Sequence, residues 1–408
     1  MTLATGAVSV TTANDAITFN HSIDGAQALT LVAGTAATAI QGEIGGSTAL
    51  SSLTITNGSA VGTIEITNIG GVTGATSIGN TSTGTLTLDG TAYTTTGAQT
   101  YTAATGQNID ITGTNATFTT TNSNIGFATA GVDLANDGTT TINTGSGAGT
   151  VSFGGAIETD GSDDDLLVVT SGSGNVTFTG AIGATNELGG LSVNASSGAG
   201  TITFSSTIGD ADNAGVIGTT AVGNSTTADM DFGGAIYKFD GATTFTAVSS
   251  GTMDMATAVA FTTAADNIEF ATAGIALANG ANLTIDTGAT GGNITVGGAI
   301  RGNTVETVTI DAGTGTTSVA AIGSGTQIGA LSIGSSDNGG ITLNGAIVTD
   351  GAVDIDGPVT LATGAVSVTT ADDAVTFNHS IDGNKALTVV SGEGNVTFTG
   401  AIGATTGL

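Results

Sequence analysis

A chain of 408 residues would ordinarily divide into two or three globular domains, but this one carries 68 Gly, a single Pro, no Cys and no Trp, and only 9% of it is charged. Asp and Glu number 33 against 3 Lys and Arg, a formal net charge of -30; nucleic acid is excluded as a ligand, because phosphate contacts need clustered cations, and Lys238, Arg301 and Lys385 are scattered. The lack of Cys excludes disulfides and thiol chemistry, and no run of 18 or more apolar residues predicts a membrane span.

From the amino terminus, Met1 is followed by Thr-Leu-Ala-Thr-Gly, which has neither the basic nor the apolar region of a signal peptide. Residues 2–32 recur as residues 360–390 with 26 of 31 identical, the differences being Asn14/Asp372, Ile17/Val375, Ala26/Asn384, Gln27/Lys385 and Leu31/Val389. Met1 stands where the later copy has Val359. The expectation is that the chain starts inside a repeat, stops inside another, and is a segment of a longer array. Short strands are expected at Leu29-Thr-Leu31, Leu53-Thr-Ile55 and, further on, Leu191-Ser-Val193, Leu283-Thr-Ile285, Leu331-Ser-Ile333 and Leu387-Thr-Val389. Residues 33–52, 68–83, 93–108 and 210–229 are less regular and read as long corners or protruding loops, the places where binding would reside.

The clearest unit is Gly174-Asn-Val-Thr-Phe-Thr-Gly-Ala-Ile182, with close versions ending at Ile157, Ile208, Ile300, Ile347 and Ile402. Its apolar, polar, apolar alternation predicts that Val176 and Phe178 point one way and Thr177 the other, as in a half-buried strand. Gly180 permits a corner, and Ala181-Ile182 opens another strand. Phe153, Phe178 and Phe204 keep a spacing of 25 and then 26. A cycle of that length cannot bury its own apolar face, and stacking on its neighbours is the solution a solenoid provides. The fold expected is all-β: a right-handed parallel β-helix with about three short strands per coil, coils about 4.8 Å apart, forming one continuous rod over residues 1–408. Residues 171–185 match 391–405 at 14 of 15 positions, and 125–157 match 268–300 at 18 of 33, so modules of several coils have been duplicated.

Chemistry is thinly represented. The densest carboxylate cluster is Asp160, Asp163, Asp164 and Asp165, whose oxygens suit Ca²⁺, although the spacing fits no calcium-loop pattern and a solvated acidic corner is the plainer reading. No other cofactor is implied. Asp210 and Asp212 form a weaker candidate of the same kind. Asp229, Asp231, Asp354 and Asp356 alternate with apolar residues and read as outward strand positions. His21 and His379 occupy one position in duplicated units and read as repeat residues, not catalysts. A polysaccharide hydrolase would need two carboxylates facing across a groove, and none are evidently paired, so enzymatic activity is not expected. Thr-x-Thr triplets such as Thr54-Ile-Thr56, Thr85-Leu-Thr87 and Thr177-Phe-Thr179 raise an ice-binding alternative, but they do not recur at one fixed place in every cycle.

The repeated Gly-[Asn/Thr]-[Val/Ile]-[Thr/Ser]-Phe-x-Gly-Ala-Ile units, the Leu-Thr-Val strands and Thr95-Thr-Gly-Ala-Gln-Thr-Tyr101 resemble the repeat regions of giant bacterial surface proteins of the filamentous-haemagglutinin-like and autotransporter-passenger type. The resemblance covers nearly the whole chain. It implies a secreted or cell-surface structural stalk used in adhesion, aggregation or matrix building, facing a host surface or matrix component. The alternative is a subunit of an extracellular filament or sheath. The near identity of residues 2–32 and 360–390 adds the expectation that the two ends associate head to tail, more strongly at high salt, where repulsion between acidic copies is screened.

Overall fold

The structure is a computed structural model that describes residues 1–58, 62–135, 138–161, 165–194, 198–335 and 338–408. Among them there is no helix. The strands are three to five residues long with few exceptions, and they stack in parallel into a β-solenoid of about 16 turns. The chain divides into two compact units, Met1–Ser206 and Thr207–Leu408.

In the first unit, one ladder runs from Val8–Thr11 through Ala28–Val32, Ser52–Thr56, Thr76–Gly79, Gln99–Thr102, Ile125–Ala128, Val151–Phe153 and Val176–Phe178 to Ile202–Phe204. A second runs from Ile17–Phe19 to Ile157–Thr159, and a third from Ala92–Thr94 to Gly190–Val193. In the second unit the corresponding stacks include Met230–Phe232 to Ile300–Arg301, Ile236–Lys238 to Val396–Phe398, and Thr220–Gly223 to Ile381–Asp382, with a short ladder of Ile347–Val348, Val366–Thr369 and Leu387–Val390. The interval between partners is shortest in pairs such as Val8↔Leu29 and Val375↔Val396, and longer in pairs such as Gln99↔Ile125 and Ile268↔Ile294. The three faces expected from sequence are therefore present, and the turns shorten where corners are tightest.

The alternation accounts for the interior. Val176 and Phe178 are buried and Thr177 is half-exposed, because successive side chains of a strand leave on opposite faces. Parallel pairing in register then places like on like. Tyr101, Phe127, Phe153, Phe178 and Phe204 form a continuous file, with successive ring centroids 5.3, 5.1, 5.3 and 5.1 Å apart and the three phenylalanine pairs within 5° of parallel. Each ring lies over the next at about the coil pitch, so the offset stack favoured by aromatic pairs follows from the backbone repeat. Ile157 bridges Ile182 in the same manner, and Ile208 is buried, bridging Tyr237.

Both glycines of the repeat unit are required by close approach. A Cβ on Gly174 would lie 2.0 Å from the carbonyl oxygen of Gly149, and one on Gly200 would lie 1.9 Å from that of Gly174. A Cβ on Gly180 would sit 2.2 Å from the carbonyl carbon of Gly155. Backbone stacks on backbone at these corners, which leaves no room for a side chain.

The irregular stretches are not protruding loops. Residues 33–52 contain the strand Thr38–Ile40, 68–83 contain Thr76–Gly79, 93–108 contain Gln99–Thr102, and 210–229 contain Thr220–Gly223. Each of these strands pairs with an adjacent turn. Thr38, Thr76 and Gln99 point inward where the repeat has Val or Ile, and those polar substitutions hid the strands from a hydrophobic reading.

Candidate functional site

The acidic corner singled out from sequence is placed only in part, since Asp163 and Asp164 lie outside the described residues. Asp160 is exposed, but Asp165 is fully buried and its Oδ1 accepts a hydrogen bond from the Gly138 backbone N–H at 3.2 Å. The expected solvated corner is thus corrected at Asp165: it belongs to the packed wall, held by a main-chain donor.

Parallel register assembles carboxylates that are far apart in sequence. Asp110 pairs with Asp133, and Asp133 pairs with Glu158, on the outward side of the second ladder of the first unit. Burial is the main cause that raises Asp133, and the negative charges of Asp110, Asp160, Asp165 and Glu158 add to it, so its carboxyl is pushed up to about 6. Burial also raises Asp110. Glu158 is engaged elsewhere, its Oε2 accepting the N–H groups of Thr185 at 3.0 Å and Asn186 at 2.9 Å. Among the described residues, no three His, Cys, Asp or Glu side chains are grouped so as to hold a metal ion. The sequence signal for this file was available in Ile109-Asp-Ile111 and Val132-Asp-Leu134. The two segments are distant along the chain, and only register brings them together.

The weaker candidate closes on itself. Asp210 Oδ1 accepts the N–H groups of Asp212 at 2.8 Å and Asn213 at 2.7 Å, and those two donors hold its carboxyl below the usual range. Lys238 Nζ donates to the carbonyls of Ala211 at 3.1 Å and Asp212 at 2.8 Å. The lysine ammonium takes the carbonyl oxygens that a bound cation would use.

Other polar groups likewise brace one turn against the next. Asp24 Oδ1 accepts from Ser47 and Thr48 N–H, and its counterpart Asp382 from Thr405 and Thr406 N–H. These donors hold both carboxyls below the usual range. Asn175 Oδ1 accepts from Thr201 N–H at 3.0 Å, Asn293 from Thr316 N–H at 2.9 Å and Asn282 from Thr307 N–H at 2.9 Å. For Glu306, burial works to raise its carboxyl, but the main-chain N–H groups of Asn303, Gly280, Glu306 and Val305 together offset this and leave it lowered. Asp231 and Asp354 face outward from their strands as expected, and His379 Nε2 lies 3.2 Å from Asp356 Oδ1.

Two shallow open depressions lie on the second unit, one over Ala258, Ala260, Asn282 and Thr284, the other over Thr307, Thr309, Ser332 and Asp354. Asp354 lines the second of them.

The threonines are more ordered than their sequence positions suggested. Ser9, Thr30, Thr54, Ser77, Thr100, Gly126, Ser152, Thr177 and Thr203 form one outward file on the first ladder, broken by a single glycine. The file on one side of it is mixed, with Thr11, Val32 and Thr56 and then Gly79, Thr102 and Ala128. Thr87 and Thr117 lie on the other two ladders.

No family model, no curated protein and no solved structure matches the chain. The class that the fold defines is a parallel β-solenoid.

Proposed function

We propose that the chain is a non-enzymatic structural segment, a stalk of a bacterial surface or matrix protein, exported and working outside the cell. The observation that carries this reading is where the carboxylates and amides are used. Asp24, Glu158, Glu306 and Asp382 accept main-chain N–H groups of a neighbouring turn or corner, and Asn175, Asn282 and Asn293 do the same. These seven side chains are committed to joining turns. The resemblance of the repeat units to surface-protein repeat regions supports the location, and a strongly acidic, hydroxyl-rich surface suits prolonged exposure to solvent without aggregation.

Immunogold labelling of cells that make the protein tests the location. Label on the surface or in the surrounding matrix is the expected result, and label confined to the cytoplasm overturns it. Incubation of the purified chain with a panel of neutral and acidic polysaccharides should release no reducing ends or unsaturated products; turnover abolished by Asp354→Asn would replace the structural reading with an enzymatic one.

A further inference from the structure

The strand Leu283–Asp286 starts immediately after Asn282, and Asn282 and Thr284, two residues apart in extended chain, leave on the same outward side. Asn282 is exposed and Thr284 half-exposed. The Oδ1 of Asn282 accepts the N–H of Thr307, one turn on, at 2.9 Å. That partner can only donate, so it fixes which end of the amide is oxygen. The other end is free: Nδ2 donates to no acceptor among the described residues.

The preceding turn leaves room beside this amide. Ala260 pairs in register with Thr284, and Val259, which stands between Ala258 and Ala260, pairs with Leu283. Ala235, Ala258 and Ala260 line an open depression of about 250 Å³ together with Asn282 and Thr284. The same Asn-x-Thr spacing occurs at Asn175 and Asn293, whose Oδ1 atoms likewise accept N–H groups of Thr201 and Thr316. There the flanks are larger: Thr177 lies between Ser152 and Thr203, and Thr295 between Glu269 and Ser318.

Asn-x-Thr, with a residue other than Pro in the middle, is the acceptor pattern for attachment of a sugar to an asparagine amide. We propose that Asn282 is a glycosylation site, with the depression over Ala258 and Ala260 accommodating the first sugar ring. In the transfer, a bond forms from Asn282 Nδ2 to the anomeric carbon of a nucleotide-activated sugar. The bond from that carbon to the phosphate oxygen breaks, the nucleoside diphosphate leaves with the electron pair, and the amide nitrogen gives up one proton. A glycosyltransferase of the producing cell brings the donor. The product is still an amide, so Oδ1 continues to accept from Thr307 and the joint between turns is kept. The nitrogen carries the sugar and the oxygen carries the brace. This goes beyond the structural reading and does not rest on it, because a covalent increment is read directly as mass.

Mass spectrometry of the chain purified from the cells that make it gives the test. Cleavage after acidic residues places Asn282 in the fragment 270–286, bounded by Glu269 and Asp286. That fragment should carry the mass of at least one sugar residue, and its fragmentation should place the sugar on Asn282. Asn282→Gln should remove the increment. Thr284→Ala should also abolish it although the acceptor amide is untouched, and Thr284→Ser should retain it, a pattern that an asparagine serving only as a brace would not show. Circular dichroism and melting establish that each variant folds. An unmodified Asn282 in the wild-type chain overturns the proposal, whatever is found at Asn175 or Asn293, and so does a sugar that survives Thr284→Ala.

Discussion

Phe178 illustrates what one residue contributes in a stacked interior. It lies between Phe153 and Phe204 with centroids 5.3 and 5.1 Å away, and it is fully buried. Phe178→Ala opens a gap in the file that neighbours on fixed ladders cannot close, and chemical denaturation should show a loss of about 3–5 kcal/mol. A substitution in the opposite direction is available at Thr317, which sits in an apolar file between Ile294 and Ile341. Its Oγ1 is buried with no hydrogen-bond partner. Thr317→Val keeps the shape and removes an unsatisfied hydroxyl, so it should stabilise by about 1 kcal/mol, read as a higher midpoint in the same titration. Gly180→Ala should be severe despite the small change, because its Cβ would meet the Gly155 main chain and neither backbone can retreat without breaking a ladder.

At the scale of the element, the file of Asp110, Asp133 and Glu158 makes stability depend on pH. The carboxyl of Asp133 is raised from 3.8 to about 6 in the folded chain, so between those values the native state holds a proton that the unfolded state has released. Stability is therefore lost as pH rises through this window and regained as pH falls through it. Melting temperature should rise when pH is lowered from 7 to 5, and Asp133→Asn should remove much of that rise. Because the group is only half-buried, the effect is no more than about 1 kcal/mol after solvent screening. Asp24, Asp210, Asp382 and Glu306 act with the opposite sign. Their lowered carboxyls contribute stability above the ordinary carboxylate range that is lost as pH falls through their depressed values. A maximum in stability on the acid side of neutrality is the combined expectation.

For the whole molecule, the described turns are joined by main-chain pairing, side-chain files and amide or carboxylate braces. Addition of a chelator should leave the melting temperature unchanged. A large drop that vanishes on replacing Asp160 and Asp165 would show instead that the acidic corner holds calcium. Chain-wide charge sets a separate dependence, because 33 acidic residues against 3 basic ones repel one another throughout the fold. Added salt should raise the melting temperature even where copies do not associate.

Period-two alternation, the recurrence of Gly174-Asn-Val-Thr-Phe-Thr-Gly-Ala-Ile182 and the even spacing of Phe153, Phe178 and Phe204 pointed to a parallel β-solenoid with three strands per turn, because a short cycle repeated at a nearly fixed spacing buries its apolar faces by stacking on its neighbours. Gly180 was legible as a corner residue, though its partner one turn away was not. Beyond Phe153, Phe178 and Phe204, whose spacing already marked one file, only tertiary structure decided which residues share a file. Asp110, Asp133 and Glu158 become neighbours through register, Ser9, Thr30, Thr54 and Thr177 through the same register on another face, and the strands around Thr38, Thr76 and Gln99 form because their neighbours impose pairing that their own inward polar residues do not signal. The physical reason is that alternation along a strand is a local property of the backbone, whereas the lateral match between strands on successive turns depends on how much chain each corner absorbs.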